Sequence, residues 1–162
     1  MKQLLLTDSI IRPGNTTAYA AGDVISEVTT NDHYTFASGK AGQLRGKIEM
    51  ARMMVLANQG TKPDLELWLF AEDIAEVADN SAFAPDDTEI LTLIDVIPFP
   101  AADWLVGLSG SGADGNIVQT ARDLNIKLPQ TNGSLYGQLV VRNAYTPISG
   151  EQFDCHLIVA LD

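Results

Sequence analysis

The last quarter of the chain, Ser134 to Leu161, leaves little choice of local structure. Leu135, Gly137, Leu139 and Val141 are apolar or small, while Gln138 and Arg142 point the other way. Such alternation is what a strand with one buried face requires, because successive side chains leave opposite faces of the pleat. The run stops at Ala144-Tyr145-Thr146-Pro147, where proline removes a backbone donor from the ladder. After Ser149-Gly150 the pattern resumes as Phe153, Cys155, Leu157, Val159 and Leu161, with Asp154 and His156 on the opposite face. Two such runs joined by a Pro/Ser/Gly turn predict a β-hairpin. A terminal strand is expected to be tied into a sheet.

The rest of the chain carries the same kind of signal in shorter pieces. Met1 to Ile11 predicts a strand closed by the turn cluster Arg12-Pro13-Gly14-Asn15, and Gly22-Asp23 predicts a bend before another strand. Asn31-Asp32 and Ser38-Gly39 bracket a short run containing His33, Tyr34 and Phe36. Leu44 to Ala57 fits both a helical stripe and an alternating strand. We read it as a strand through Met50 that bends or bulges near Arg52, with Met50, Met53 and Met54 as core filler. Leu65 to Phe70 has leucine at every odd position and aromatics at two even ones, so both its faces are expected to be covered. A helical turn is expected within Ala71 to Ala78, then a polar loop from Asp79 to Asp87 holding a buried Phe83. Thr88 to Phe99 and Asp103 to Leu108 read as strands, Asn116 to Leu124 as a short helix, and Ile126-Lys127-Leu128 as a strand fragment before Pro129.

This makes seven to nine strands with at most one or two short helices. The expectation is an all-β, antiparallel, jelly-roll-like β-sandwich, with residues 1–162 as one domain and residues 1–13 as a docking arm or edge strand. No internal repeat or low-complexity tract interrupts it.

Charge narrows the partners. The net charge is −11, from 21 acidic against 10 basic residues, which argues against a sequence-independent grip on nucleic acid or on an anionic membrane. No run approaches a membrane span. The three leucines after Met1-Lys2-Gln3 are too few for a secretory signal, so the chain is expected to be made and folded in the cytosol. The single cysteine, Cys155, sits on the apolar face of the last strand and reads as a buried, inert thiol.

No catalytic, cofactor or metal constellation emerges. Gly110-Ser111-Gly112-Ala113-Asp114-Gly115 is a literal G-x-G-x-x-G, yet no alternating βαβ series surrounds it and no acidic residue stands at the end of a following strand to hold a ribose. Gly107-Leu108-Ser109-Gly110-Ser111 misses the hydrolase elbow at its last glycine. His33 and His156 are distant from each other in sequence, and Asp154 with His156 reads as a polar pair on one strand face. Glu72-Asp73 and Asp86-Asp87 lack calcium-loop spacing and read as solvated loop charges. Tyr19, Tyr34, Tyr136, Tyr145, Trp68 and Trp104 are not interleaved with cations, so no base-stacking platform is expected.

Three stretches resemble landmarks of a family of small virion proteins of tailed bacteriophages, commonly met beside the major capsid protein. They are Thr16-Thr17-Ala18-Tyr19-Ala20-Ala21-Gly22-Asp23-Val24, Asp79-Asn80-Ser81-Ala82-Phe83, and Ser134-Leu135-Tyr136-Gly137 leading to Ala144-Tyr145-Thr146-Pro147. The resemblance spans Arg12 to Leu161 with gaps, and Asp95 to Pro129 matches less well. It implies a β-rich head-decoration (cement) or other auxiliary virion protein with no catalytic residues. The major capsid protein would be its partner and the particle would hold it as a homo-oligomer. Gly107 to Gly115 and the arm before Pro13 are docking candidates. The alternative is a carbohydrate- or receptor-binding sandwich of the virion, with Trp104 and Tyr145 as an exposed stacking platform.

Overall fold

The computed structural model describes residues 2–39, 44–56, 60–106, 116–131 and 133–162. It contains ten strands: β1 (Lys2–Ile11), β2 (Val24–Ile25), β3 (Tyr34–Ala37), β4 (Leu44–Leu56), β5 (Leu65–Phe70), β6 (Leu93–Phe99), β7 (Leu105–Val106), β8 (Ile117–Thr131), β9 (Ser134–Val141) and β10 (Gln152–Leu161). A four-residue helix α1 (Asp87–Ile90) and a 3-10 turn (Ala101–Asp103) complete it. The strand count exceeds the expected seven to nine because β2 and β7 are only two residues long.

One sheet runs β1-β10-β4-β8-β7 and the other β2-β9-β5-β6, with β3 also pairing β9. All pairings are antiparallel. The partners nest: β1 with β10, β2 and β3 with β9, β4 with β8, β5 with β6. This is the wind of a jelly roll, a long hairpin hinged between β5 and β6 and then rolled so that the chain passes from sheet to sheet. The all-β sandwich read from the sequence is the fold observed.

The core lies between the sheets. Leu6 and Ile10 of β1, Ala51, Met53 and Val55 of β4, and Phe153, Cys155, Leu157 and Val159 of β10 face Leu65, Leu67 and Leu69 of β5 and Leu135, Leu139 and Val141 of β9. Gly137 is the small residue in this layer for a reason. A Cβ there would come within 2.9 Å of Leu67 Cδ1 and 3.0 Å of Phe36 Cε2. The Cys155 thiol is fully buried and its pKa is pushed up by that burial, as an inert core sulfur requires.

Several sequence expectations need correction. The last two strands are not a hairpin: β9 belongs to one sheet and β10 to the other, and residues 142–151 cross between them. Alternation sets which face is buried, and both strands satisfy it by facing each other across the core instead of lying side by side. Asn116 to Leu124 is not helical; it is the first part of the 15-residue β8. Asp123 (φ 56°) and Asn125 (φ 50°) take left-handed conformations. The β4–β8 register slips between Ile48 and Met50, so inward positions change from Ile117 and Gln119 to Ile126 and Leu128. That change of parity is what imitates a helical period. β4 runs on to Leu56, and its irregularities lie at Leu44/Gly46 and Ile48/Met50, not near Arg52.

Residues 71–78 form no helical turn. The helix comes later, at Asp87–Ile90, where Asp86 caps the backbone of Thr88 and Glu89 and the Glu89 carboxylate accepts from the Asp86 N–H. As a result β6 starts at Leu93, not Thr88. Both faces of β5 are covered as expected: Phe83 packs edge-on to Trp68 and Phe70 on the outer side. Gln138 points outward yet is fully buried, its amide donating to the Ile25 carbonyl at 3.1 Å.

Candidate functional site

One residue from each stretch that carries the family resemblance, Tyr19, Asp79 and Tyr145, lies at one end of the sandwich around Arg12, which the sequence reading passed over. Ser134–Gly137 lies away from it, paired with β3. Arg12 follows Leu6 and Ile10 on the inward parity of β1, so the chain carries its guanidinium inside, where it is 1% exposed. There Nε donates to the Tyr19 hydroxyl at 2.9 Å, Nη1 to the carbonyls of Asn15 and Ile148, and Nη2 to Asn15 Oδ1. Asp79 lies 3.7 Å from Nη2. Tyr19 donates to Asp79 at 2.6 Å and stacks on Tyr145 with centroids 5.4 Å apart. Burial, and then donation to the Asp79 carboxylate, hold the Tyr19 pKa well above its ordinary value, so it stays a donor. Tyr145 in turn donates to Glu151.

A buried cation satisfied on every arm by parts of one chain is a clasp, with no free valence for a substrate. It ties residues 12–23, 79–83 and 145–151 together. The signal available in the sequence was Arg12's parity, just before Pro13.

Among the described residues the sequence-derived candidates do not assemble. Gly110–Gly115 and Gly107–Ser111 lie outside the described residues. His156 and Asp154 sit half-buried on the outer face of β10, and Asp154 accepts from Gln152, not from His156. His33 is buried and its Nε2 lies 3.0 Å from Asp73 Oδ1. It lines a cleft of about 310 Å³ with Asp8, Glu27, Asp32, Asp73 and Glu76. Among the described residues no group of three or more His, Cys, Asp or Glu side chains is placed to hold a metal ion. Asp86 of the Asp86-Asp87 pair is committed to the α1 cap. Trp104 and Tyr145 form no platform: they are 3% and 5% exposed, and Trp104 packs on Phe99 and donates to the Pro63 carbonyl at 2.7 Å. An indole and a phenol satisfied inside the core cannot also stack on a sugar outside it.

Glu27 serves its own loop. Its carboxylate accepts from the hydroxyls and backbone N–H groups of Thr29 and Thr30. Those bonds, the Thr29 hydroxyl first, lower its pKa to about 2. The stabilisation is therefore complete above the unfolded value near 4.5 and is lost as pH falls through about 2. A carbon-detected titration of Glu27 is expected to show its inflection near the lower value. An inflection at the ordinary glutamate position would disprove the loop contact.

Charge is distributed unevenly over the fold. Residues 63–106 contain eleven carboxylates and no lysine or arginine. The sheet formed by β1, β10, β4, β8 and β7 carries the opposite balance. Lys2, Arg45, Lys47, Arg52, Arg122 and Lys127 stand against Asp8, Glu49, Asp123 and Asp154. Its outer side also leaves Leu5 57%, Ile11 44% and Leu105 69% exposed.

No protein-family model matches the chain, and no curated protein sequence does. Among solved structures it is similar to PRD1 vertex protein P5, at 16% identity and a TM-score of 0.31, covering 99% of this chain and 96% of that one. It is also similar to the VP2 subviral particle of infectious bursal disease virus, at 11% identity and a TM-score of 0.33, covering 97% of this chain and 38% of that one. Triatoma virus gives 14% identity, a TM-score of 0.26 and coverage of 98% and 63%. The similarity to these viral capsid and vertex proteins is weak.

Proposed function

We propose that this protein is a structural component of a virion, a decoration (cement) protein that binds the assembled head shell. Its major capsid protein would be the partner. The observation that carries the reading is the charge partition: eleven carboxylates and no lysine or arginine within residues 63–106, of which Asp79 and Glu66 pair with arginines from elsewhere in the chain, on a jelly roll whose polar clasp is fully used inside the fold. Such a surface keeps free copies soluble and apart, then steers them to basic patches of a large assembly. Repetition over a lattice turns weak single contacts into stable occupancy. The family resemblance supports the same reading: Tyr19, Asp79 and Tyr145, one residue from each of its landmarks, meet in the Arg12 clasp.

The test is co-sedimentation of the purified protein with head shells of the virus that encodes it, across a salt series. Binding at low salt that falls as salt rises is expected, and replacing Glu72, Glu76, Asp87 and Asp95 by lysine should abolish it. Failure to sediment with shells at any salt would refute the proposal.

A further inference from the structure

We propose that the β1 edge is a self-association site, through which two copies pair antiparallel about a two-fold axis at Leu5. A sheet edge is a row of unpaired backbone donors and acceptors that accepts another strand unless it is blocked. Among the described residues the other edges are blocked. β7 and β2 are two residues long, and β3 is four, with its Thr35 N–H already donated to the Asp8 carboxylate at 2.6 Å. β6 contains Pro98, and β8 beyond its pairing with β7 contains the left-handed Asp123 and Asn125 and then Pro129.

β1 has none of these devices before Asp8, whose carboxylate holds the Thr35 N–H of β3. It keeps unbroken register with β10 over ten residues and contains no proline. Its far end is occupied, since Val28 donates to the Ile11 carbonyl at 2.9 Å. The free stretch is therefore Lys2 to Thr7, since Asp8 already accepts from Thr35 and Ser9.

That stretch is self-complementary in one register. Opposite residues of an antiparallel pair lie on the same face, so the axis passes through a residue and sets like parity against like. With the axis at Leu5, Lys2 stands opposite Asp8 of the second copy, whose carboxylate also accepts from Ser9 and Thr35. Gln3 stands opposite Thr7, half-buried Leu4 opposite the core residue Leu6, and the 57%-exposed Leu5 opposite Leu5. Moving the axis to Leu6 sets Leu4 against Asp8, and moving it to Thr7 sets Leu6 against Asp8. Only the Leu5 axis matches charge with charge and leucine with leucine. The surrounding sheet carries six cations against four carboxylates, so two copies meet here without confronting their acidic stretches.

The inference does not depend on the virion reading, and its test uses the protein alone in solution. Leu5→Cys and Thr7→Cys are compared under mild oxidation, with buried Cys155 as the silent background thiol. A cysteine at the axis faces its own copy within disulfide reach, whereas one at position 7 faces Gln3, so the first variant should cross-link about tenfold faster or more. Sedimentation velocity of the unmodified protein should show a concentration-dependent dimer. Leu5→Lys, which sets two ammonium groups face to face, should weaken it about tenfold or more. Equal cross-linking at the two positions, or a monomer at millimolar concentration, would overturn the proposal.

Discussion

Arg12→Ala is expected to lower the stability of the fold by about 3–5 kcal/mol, the usual consequence of removing one partner of a buried ion pair. The substitution deprives Asp79, Tyr19, Asn15 and the Ile148 carbonyl of their shared donor. Asp79 is then a buried carboxylate with only the Tyr19 hydroxyl and the Ser26 N–H beside it. Because the clasp joins loops far apart in sequence, the loss should be global, seen as a lower urea midpoint at unchanged m-value. For a chain of this size it corresponds to a melting temperature lower by roughly 10 °C or more. Arg142→Ala is the control: that guanidinium is 54% exposed and pairs with Glu66 at 3.2 Å. Its removal should cost no more than about 1 kcal/mol. Comparable losses for the two variants would mean that the buried network contributes nothing beyond a surface pair.

Gly46→Ala should be comparably damaging for a steric reason. Gly46 lies in β4 opposite Leu161 with φ at 142°, a region that L side chains rarely enter. A Cβ there would fall on the Ala160 carbonyl oxygen, and backbone cannot swing aside as a side chain can. Steric overlap and backbone strain together predict a loss of about 2–5 kcal/mol. The damage should centre on the β4–β10 pairing and be read as faster amide exchange along both strands. Wild-type exchange and stability would show that the chain adopts another conformation at this position.

The two variants probe opposite ends of what the amino-acid sequence makes legible. Period two at Leu135 to Val141 and Phe153 to Leu161 determined by itself that these are strands and which side chains face the core between the sheets. The leucines and aromatics of Leu65 to Phe70 likewise announced a strand covered twice, and Phe83 covers it. Cys155 could be placed in the core from parity alone. These are local properties, set by the geometry of the pleat and the preference of apolar groups to leave water.

Pairing was another matter. β10 lies beside β1, the strand most distant from it in sequence, and not beside β9, because a rolled hairpin nests its ends together. Nothing in a strand's own alternation distinguishes these partners. Where parity itself changes, at Asp123 and Asn125, the apolar pattern imitates a helical period although the segment is a strand.

The Arg12 clasp was hidden for a related reason. A guanidinium is buried only when acceptors from several loops converge on it, and here they come from residues 15, 19, 79 and 148. Alternation along the chain thus decided the faces. Only the closed roll decided which strands are neighbours, which charges lie inside, and which edge is left open, because each depends on contacts between residues that the sequence keeps far apart.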